Sequence, residues 1–356
     1  MPASEIRNAL IVQTAFLGDV ILTLPLVQVL KRSFPSAGID IVVTPQAAKL
    51  LQNHPALRSV LEFDKRGKDS GIGGLMRKVS QIRKGKYDLA VVPHRSLRSA
   101  LLVRLGNIPL RIGFHTSAGK IFFNEVVRYE KSLHEVDRNL RLLRPLGIDW
   151  KGAEYPELYP ADDDRRVVND FLDMAGIKDR MRLIAVAPGT VWNTKRWLKE
   201  RFVELSRKLI EAGWGVALIG GGGDVPLCDG IVHDIALPNV FSTAGKLTLL
   251  QSAEMIRRCQ ALVCNDSAPM HLAVAVRTPV VTVFGATVPE FGFAPYGKYD
   301  TVVETKGLAC RPCSIHGGER CPISTFECMV RISADEVLGI VVQVVEQAGA
   351  ATRASS

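Results

Sequence analysis

Short apolar runs rich in β-branched residues recur along this chain. Each is followed by a longer stretch in which apolar positions return every three or four residues. The first pattern reads as buried strand, the second as amphipathic helix. In the first half, strands are predicted at 9–13, 39–44, 60–63, 89–92 and 110–113, and helices at 22–33, 72–83, 97–105 and 135–146. The alternation pauses over 149–160, a stretch of prolines, tyrosines and mixed charges, and restarts with a helix at 165–175. Strands follow at 183–187, 215–219, 240–242, 261–264 and 280–284, with helices at 198–212, 252–258, 270–276 and 334–347. This β–α alternation, repeated in two halves, predicts an α/β fold of two doubly wound parallel sheets. The expected boundaries are 1–160 and 161–348, with a flexible tail over 349–356. A ligand held between two such units would meet the carboxyl ends of both sheets.

Composition narrows the picture in three ways. With 356 residues, 47% of them hydrophobic, each of two domains can bury a core, so wholesale disorder is excluded. The formal charge of +9 favours an anionic partner, whether nucleic acid, an acidic membrane surface or a phosphorylated substrate. No secretory leader pattern opens the chain, and no apolar run reaches the ~18–20 residues that span a bilayer. A cytoplasmic location is expected, with peripheral membrane contact open. Seven cysteines, an odd number in a long chain, argue against a disulfide scaffold.

The positive charge is concentrated. Residues 65–111 carry twelve Lys or Arg against Asp69 and Asp88 alone. Leu75, Met76, Val79 and Ile82 recur there at helical spacing beside Arg77, Lys78, Arg83 and Lys84. This is either a solvated helix face or a docking surface for an anionic lipid, with the apolar stripe against the bilayer.

Five segments carry candidate chemistry. After the first strand, Gly18 permits a tight turn and Asp19 precedes a helix; Asp19 either caps that helix or acts as a general base for an attacking hydroxyl. After the strand at 183–187, Thr190 and Lys195 suit a diphosphate, although an ordinary basic loop looks the same. Gly220 to Gly223 admit a ligand close to the backbone, and Asp224 could accept from ribose hydroxyls; neither dinucleotide nor P-loop fingerprint is present. Asn265-Asp266-Ser267-Ala268-Pro269-Met270-His271 opens a helix, with Ser267 as N-cap and Pro269 in the first turn, an arrangement that attracts anions; a half-buried structural histidine is the plainer reading of His271. Cys310, Cys313, Cys321 and Cys328 could hold zinc or an iron–sulfur cluster, or be plain thiols.

Together these strings resemble the lipopolysaccharide heptosyltransferases of glycosyltransferase family nine. The residues that carry the resemblance are Gly18-Asp19-Val20-Ile21-Leu22-Thr23-Leu24-Pro25, Lys195-Arg196-Trp197, the 265–271 string and Pro279-Val280-Val281-Thr282-Val283-Phe284-Gly285. The cysteine segment and Lys195-Arg196-Trp197 look most like the members that add the second heptose. The resemblance implies a GT-B fold with two Rossmann-like domains facing a central cleft. It implies inverting transfer of L-glycero-D-manno-heptose from ADP-heptose to the lipid A-linked inner-core oligosaccharide, with no metal cofactor for catalysis and no nucleic acid partner. By position, Asp19 looks like the catalytic base. Thr190, Lys195, Asp224, Asp266, Ser267, Ala268 and His271 look like donor contacts, and Ala268 stands where many members have Gly. A nucleotide-sugar epimerase of similar two-domain plan is the alternative. Asp162 to Asp164 is not at a strand end and reads as a solvated acidic turn.

Overall fold

The computed structural model describes residues 6–177 and 181–355. The chain divides into two compact units, 1–159 and 160–356. The first holds β1 (Asn8–Val12), β2 (Gly38–Val43), β3 (Ser59–Glu62), β4 (Leu89–Val92), β5 (Leu110–Phe114) and β6 (Glu125–Val127) in the order β3-β2-β1-β4-β5-β6. The second holds β7 (Leu183–Ala187), β8 (Gly215–Leu218), β9 (Val240–Ser242), β10 (Ala261–Asn265), β11 (Val280–Phe284) and β12 (Thr301–Glu304) in the order β9-β8-β7-β10-β11-β12. All pairings are parallel, so both units repeat one doubly wound plan.

The central strands are continuous apolar runs because helices cover both faces. Ala9 to Val12, Leu89 to Val92 and Ala261 to Cys264 are fully buried. Strand order reverses between β1 and β4, and again between β7 and β10. Chains leaving two neighbouring strands at such a point part to opposite faces, which opens a crevice at the carboxyl ends.

Several elements differ from the sequence reading. The short edge strands β6 and β12 have too few apolar residues to stand out. Helix Val225–Ile235 was hidden by the glycines before it and by Gly230 inside it. The last helix runs Ala334–Ser355, through most of the stretch expected as a tail. Ala348, Ala350, Ala351 and Ala354 are strong helix formers, and no proline interrupts them. Ser356 lies outside the described residues. Asp162, Asp163 and Asp164 form the first turn of helix Asp162–Met174, where negative charge meets the positive end of the helix dipole.

The apolar stripe at 75–82 is also reassigned. Val79 and Ile82 are core residues of the first unit and Leu75 packs against them. Lys78 is buried beside them, its Nζ donating to Gln81 Oε1 at 2.7 Å. This is the inward face of helix Gly71–Lys84; the outward face shows Ile72, Met76, Arg77, Arg83 and Lys84.

Candidate active site

The first crevice lies at the carboxyl ends of β1 and β4. Asp19 is the third residue of the short helix Leu17–Ile21, not its predecessor, and Gly18 is helical rather than a left-handed turn. The Asp19 carboxylate accepts the Phe16 N–H at 3.2 Å, so it tends the helix start as well as lining the crevice. Burial pushes its pKa from 3.8 up to about 6, and the negative charge of Glu135 adds to this; the Phe16 N–H and Arg95 oppose it. A carboxylate titrating near 6 is ionised at neutral pH yet basic enough to take a proton.

The two sides of this crevice are tied together. Thr14 Oγ1, just past β1, lies 2.9 Å from His94 Nδ1, just past β4, and the same ring nitrogen lies 2.9 Å from Ser99 Oγ. Lys65 Nζ donates to the Thr14 carbonyl at 2.7 Å. Burial, then the charges of Lys65 and Arg95, hold the His94 pKa down to about 4, so its ring is neutral. Glu135 Oε2 accepts from Tyr129 Oη at 2.9 Å and from Arg138 at 2.8 Å, all three side chains being buried. Arg95 lies over the same tyrosine, its guanidinium 4.4 Å from the Tyr129 ring centroid.

The second crevice lies at the carboxyl ends of β7 and β10. Fully buried Asn265 spans it, donating to the Pro188 carbonyl and accepting the Trp197 N–H, both at 2.8 Å. Next to it the Asp266 carboxylate takes Thr287 Oγ1 and Lys195 Nζ, each at 2.6 Å. Ser267 is the N-cap of helix Ala268–Ala275, with Ala268 its first residue and Pro269 its second. Its hydroxyl donates to the Asn265 carbonyl at 3.3 Å rather than capping its own helix; Pro269 has no N–H and the Met270 N–H donates to the Ser267 carbonyl at 3.1 Å, which leaves the Ala268 N–H to another acceptor. His271 is buried one turn in. The Thr190 carbonyl accepts from Arg196 at 2.9 Å, which fixes the loop over the strand end.

Asp224 ends a tight turn, Gly222–Asp224, and its carboxylate accepts the Gly221 N–H at 2.9 Å. A Cβ on Gly189 would stand 2.1 Å from Asp224 Oδ1. The carboxylate thus braces the glycine turn and packs against Gly189, and it keeps acceptor capacity beyond the Gly221 N–H.

The cysteine segment has a visible structural task. Cys313 N–H donates to the Ala286 carbonyl at 2.9 Å, and Arg311 donates to the Thr287 carbonyl at 2.7 Å. Gly318 N–H donates to Thr194 Oγ1 at 2.8 Å, and Thr194 N–H returns to the Gly318 carbonyl. A Cβ on Gly317 would meet the Lys195 stem at 2.9 Å. The loop therefore walls Lys195 and the β11 edge. Among the described residues no group of three or more His, Cys, Asp or Glu is placed to hold a metal ion, the set of Cys310, Cys313, Cys321 and Cys328 included. Cys328 is buried and the other three are half-buried.

Two sheets of this order, each with polar groups gathered at its switch point, suit a nucleotide-sugar enzyme. The sequence profile of glycosyltransferase family 9 (heptosyltransferase) matches residues 75–318. The chain belongs to that family. It is therefore a glycosyltransferase. Lipooligosaccharide heptosyltransferase 2 of Haemophilus influenzae is 28% identical over 296 residues, covering 80% of this chain and 85% of that protein. Lipopolysaccharide heptosyltransferase 3 of Escherichia coli is 29% identical over 281 residues, covering 76% and 82%. The structure of E. coli ADP-heptose LPS heptosyltransferase II superposes with a TM-score of 0.79 at 23% identity, over 96% of this chain and 99% of that one. The fold is the one those structures have.

Within family 9 terms, the structure brings Lys195, Asp266 and Ser267 to one strand edge and sets Asp19 at the other sheet. Sequence reasoning missed Lys65, His94, Arg95, Tyr129, Glu135 and Thr287. His94 and Arg95 were findable, since they follow a buried strand directly. Tyr129 and Glu135 reach the Asp19 environment only through packing, and nothing in their local sequence marks them.

Proposed function

We propose that this chain transfers L-glycero-D-manno-heptose from ADP-heptose to the inner core of a lipid A-linked oligosaccharide, with inversion at the anomeric carbon. The observation that supports this reading is the chemistry at the two switch points: a carboxylate titrating near 6 at one, a Lys195–Asp266 pair beside a helix N-terminus at the other. Its relatives' names point to the same donor and acceptor class.

Asp19 takes the proton from the acceptor hydroxyl as its oxygen attacks the anomeric carbon. The bond from that carbon to the ADP oxygen breaks in the same displacement, and negative charge grows on the departing diphosphate. Lys195 and the N–H groups opening helix Ala268–Ala275 receive that charge, in the role a divalent cation fills elsewhere. Asp266 holds Lys195 in place, and Thr287 holds Asp266. Thr190, Ala268 and His271 line the donor's path, and Asp224 acts by bracing the glycine loops rather than by touching ribose. Arg95, Lys65 and neutral His94 form the acceptor's polar wall. Work takes place at the cytoplasmic face of an anionic membrane, as a peripheral contact; no described helix is long and apolar enough to cross one.

The test is turnover of ADP-heptose with truncated lipid acceptors, read by mass spectrometry and by the anomeric configuration of the product. A heptose added with inverted configuration is expected. Alteration of the sugar in ADP-heptose alone, with no acceptor present, would instead mark an epimerase.

A further inference from the structure

The carboxyl edge of the first sheet carries exposed aliphatic side chains where a soluble crevice rim would carry polar ones. Ile72 is 81% exposed, Ile121 80% and Leu97 47%. Each lies in the connection that leaves a parallel strand's carboxyl end: Ile72 opens the helix after β3, Leu97 the helix after β4, and Ile121 sits in the turn after β5. They are held in one row. Arg98 donates to the carbonyls of Asp69 at 2.6 Å and Gly71 at 2.9 Å, which ties the start of helix Leu97–Leu105 to that of helix Gly71–Lys84. On the other side, a Cβ on Gly119 would stand 2.4 Å from Ala100 Cβ, so the turn Lys120–Phe122 lies directly on helix Leu97–Leu105. Cations interleave with the row. Arg66 and Lys68 sit in the loop leading to Ile72, Arg77 adjoins exposed Met76, and Lys120 adjoins Ile121; all four are exposed.

We propose that this row, Ile72, Leu97 and Ile121 with Arg66, Arg77 and Lys120, is a membrane-docking edge for an anionic phospholipid bilayer. It rests on the reading that Asp19, on the same sheet edge, works on a lipid-anchored acceptor. Aliphatic side chains enter the boundary between headgroups and acyl chains, while lysine and arginine stay among the phosphates. The chemistry favours lipid over single-stranded nucleic acid, which is held by rows of stacked aromatic rings, because the row of Ile72, Leu97 and Ile121 is aliphatic and Phe16 is the one strongly exposed aromatic beside it among the described residues of this edge. This edge replaces the 75–82 stripe, of which Val79 and Ile82 belong to the core, Leu75 packs against it and only Met76 faces outward.

The test is co-sedimentation of the full chain with vesicles of phosphatidylcholine containing about one quarter phosphatidylglycerol, against phosphatidylcholine alone. Binding to the anionic vesicles is expected, falling as salt rises from about 20 mM to about 150 mM. Ile72→Ser with Ile121→Ser should cut the partition coefficient about tenfold, and Arg66→Gln, Arg77→Gln and Lys120→Gln together by a similar factor. Unchanged thermal unfolding and unchanged ADP affinity show that both variants fold. Wild-type protein that ignores anionic vesicles at low salt overturns the proposal, as does binding that the isoleucine pair does not alter. A dimer that the isoleucine pair dissociates, or tighter binding of a single-stranded oligonucleotide that the cation set abolishes, overturns it in favour of those occupants. Vesicle binding needs no substrate, so its loss leaves the transferase reading standing, and absence of heptose transfer by a chain that still binds vesicles leaves the docking edge standing.

Discussion

The Lys195 ammonium lies 2.6 Å from the Asp266 carboxylate, in the wall formed by the loop at 310–321. One member of the pair comes from the loop after β7 and the other from the end of β10, so the contact bridges the switch point of the second sheet. The same contact aims the cation: a lysine stem this long has many rotamers, and the carboxylate selects one. Lys195→Ala is expected to weaken ADP binding about tenfold or more, since a charge-assisted contact to diphosphate is lost. Isothermal calorimetry with ADP checks this, and an unchanged dissociation constant returns Lys195 to a purely structural role.

Asp19 ties activity and stability to pH in opposite senses. Its carboxyl is pushed from 3.8 up to about 6 by burial and by Glu135, so the folded chain holds the proton more tightly than the unfolded one. The stability this contributes is complete below about 3.8 and is lost as pH rises through about 6. At neutral pH the ionised group is a net cost, and Asp19→Asn should unfold a few degrees higher, at roughly 2–4 °C for each kcal/mol regained. Activity runs the other way, because only the ionised form accepts a proton. The value of kcat/KM should fall below about pH 6, and Asp19→Asn should lower kcat about a hundredfold or more with ADP affinity unchanged. Near-normal turnover in the mutant removes Asp19 as the base.

Both sheets were legible because their central strands are near-continuous apolar runs; Leu183–Ala187 is wholly apolar and Val280–Phe284 is broken only by Thr282. The site was legible where a polar string follows such a run, as at Asp19, Lys195 and Asp266. Three things were not. Edge strands such as Glu125–Val127 bury one flank at most, so their apolar signal is weak. Helical periodicity at 75–82 marks an apolar face without saying which way it points; Leu75, Val79 and Ile82 point into the core and Met76 away from it. Polar groups also gain neighbours the sequence does not show: Asp224 accepts the Gly221 N–H and packs against Gly189.

Chelation should leave transfer intact. The two carboxylates at the second sheet's edge are already engaged, Asp266 by Lys195 and Thr287, and Asp224 by the Gly221 N–H. A cation bridging a diphosphate would have to displace one of these contacts, and Lys195 already brings positive charge there. Initial rates with excess EDTA are expected to match those without. A rate abolished by EDTA and restored by magnesium would show that the leaving group depends on a metal.

The last prediction isolates the role of Asp224. In the present fold the Gly189 backbone lies against Asp224 Oδ1, at a point 2.1 Å from where a Cβ would project. Gly189→Ala must therefore push the carboxylate aside or bend the loop after β7, the loop that carries Thr190. Overpacking of this kind costs about 1–3 kcal/mol. If the carboxylate gives way, it also releases the Gly221 N–H, so the glycine run at 220–223 loosens. Gly189→Ala is thus expected to lower both the unfolding midpoint and the ADP affinity. Asp224→Ala alone should lose the loop brace and show a milder form of the same defect. In the double variant the new methyl has room, so the two penalties should fall short of their sum by about 1 kcal/mol or more. Strictly additive penalties in that cycle would mean that Gly189 is needed for its own backbone, and that Asp224 is not what confines it.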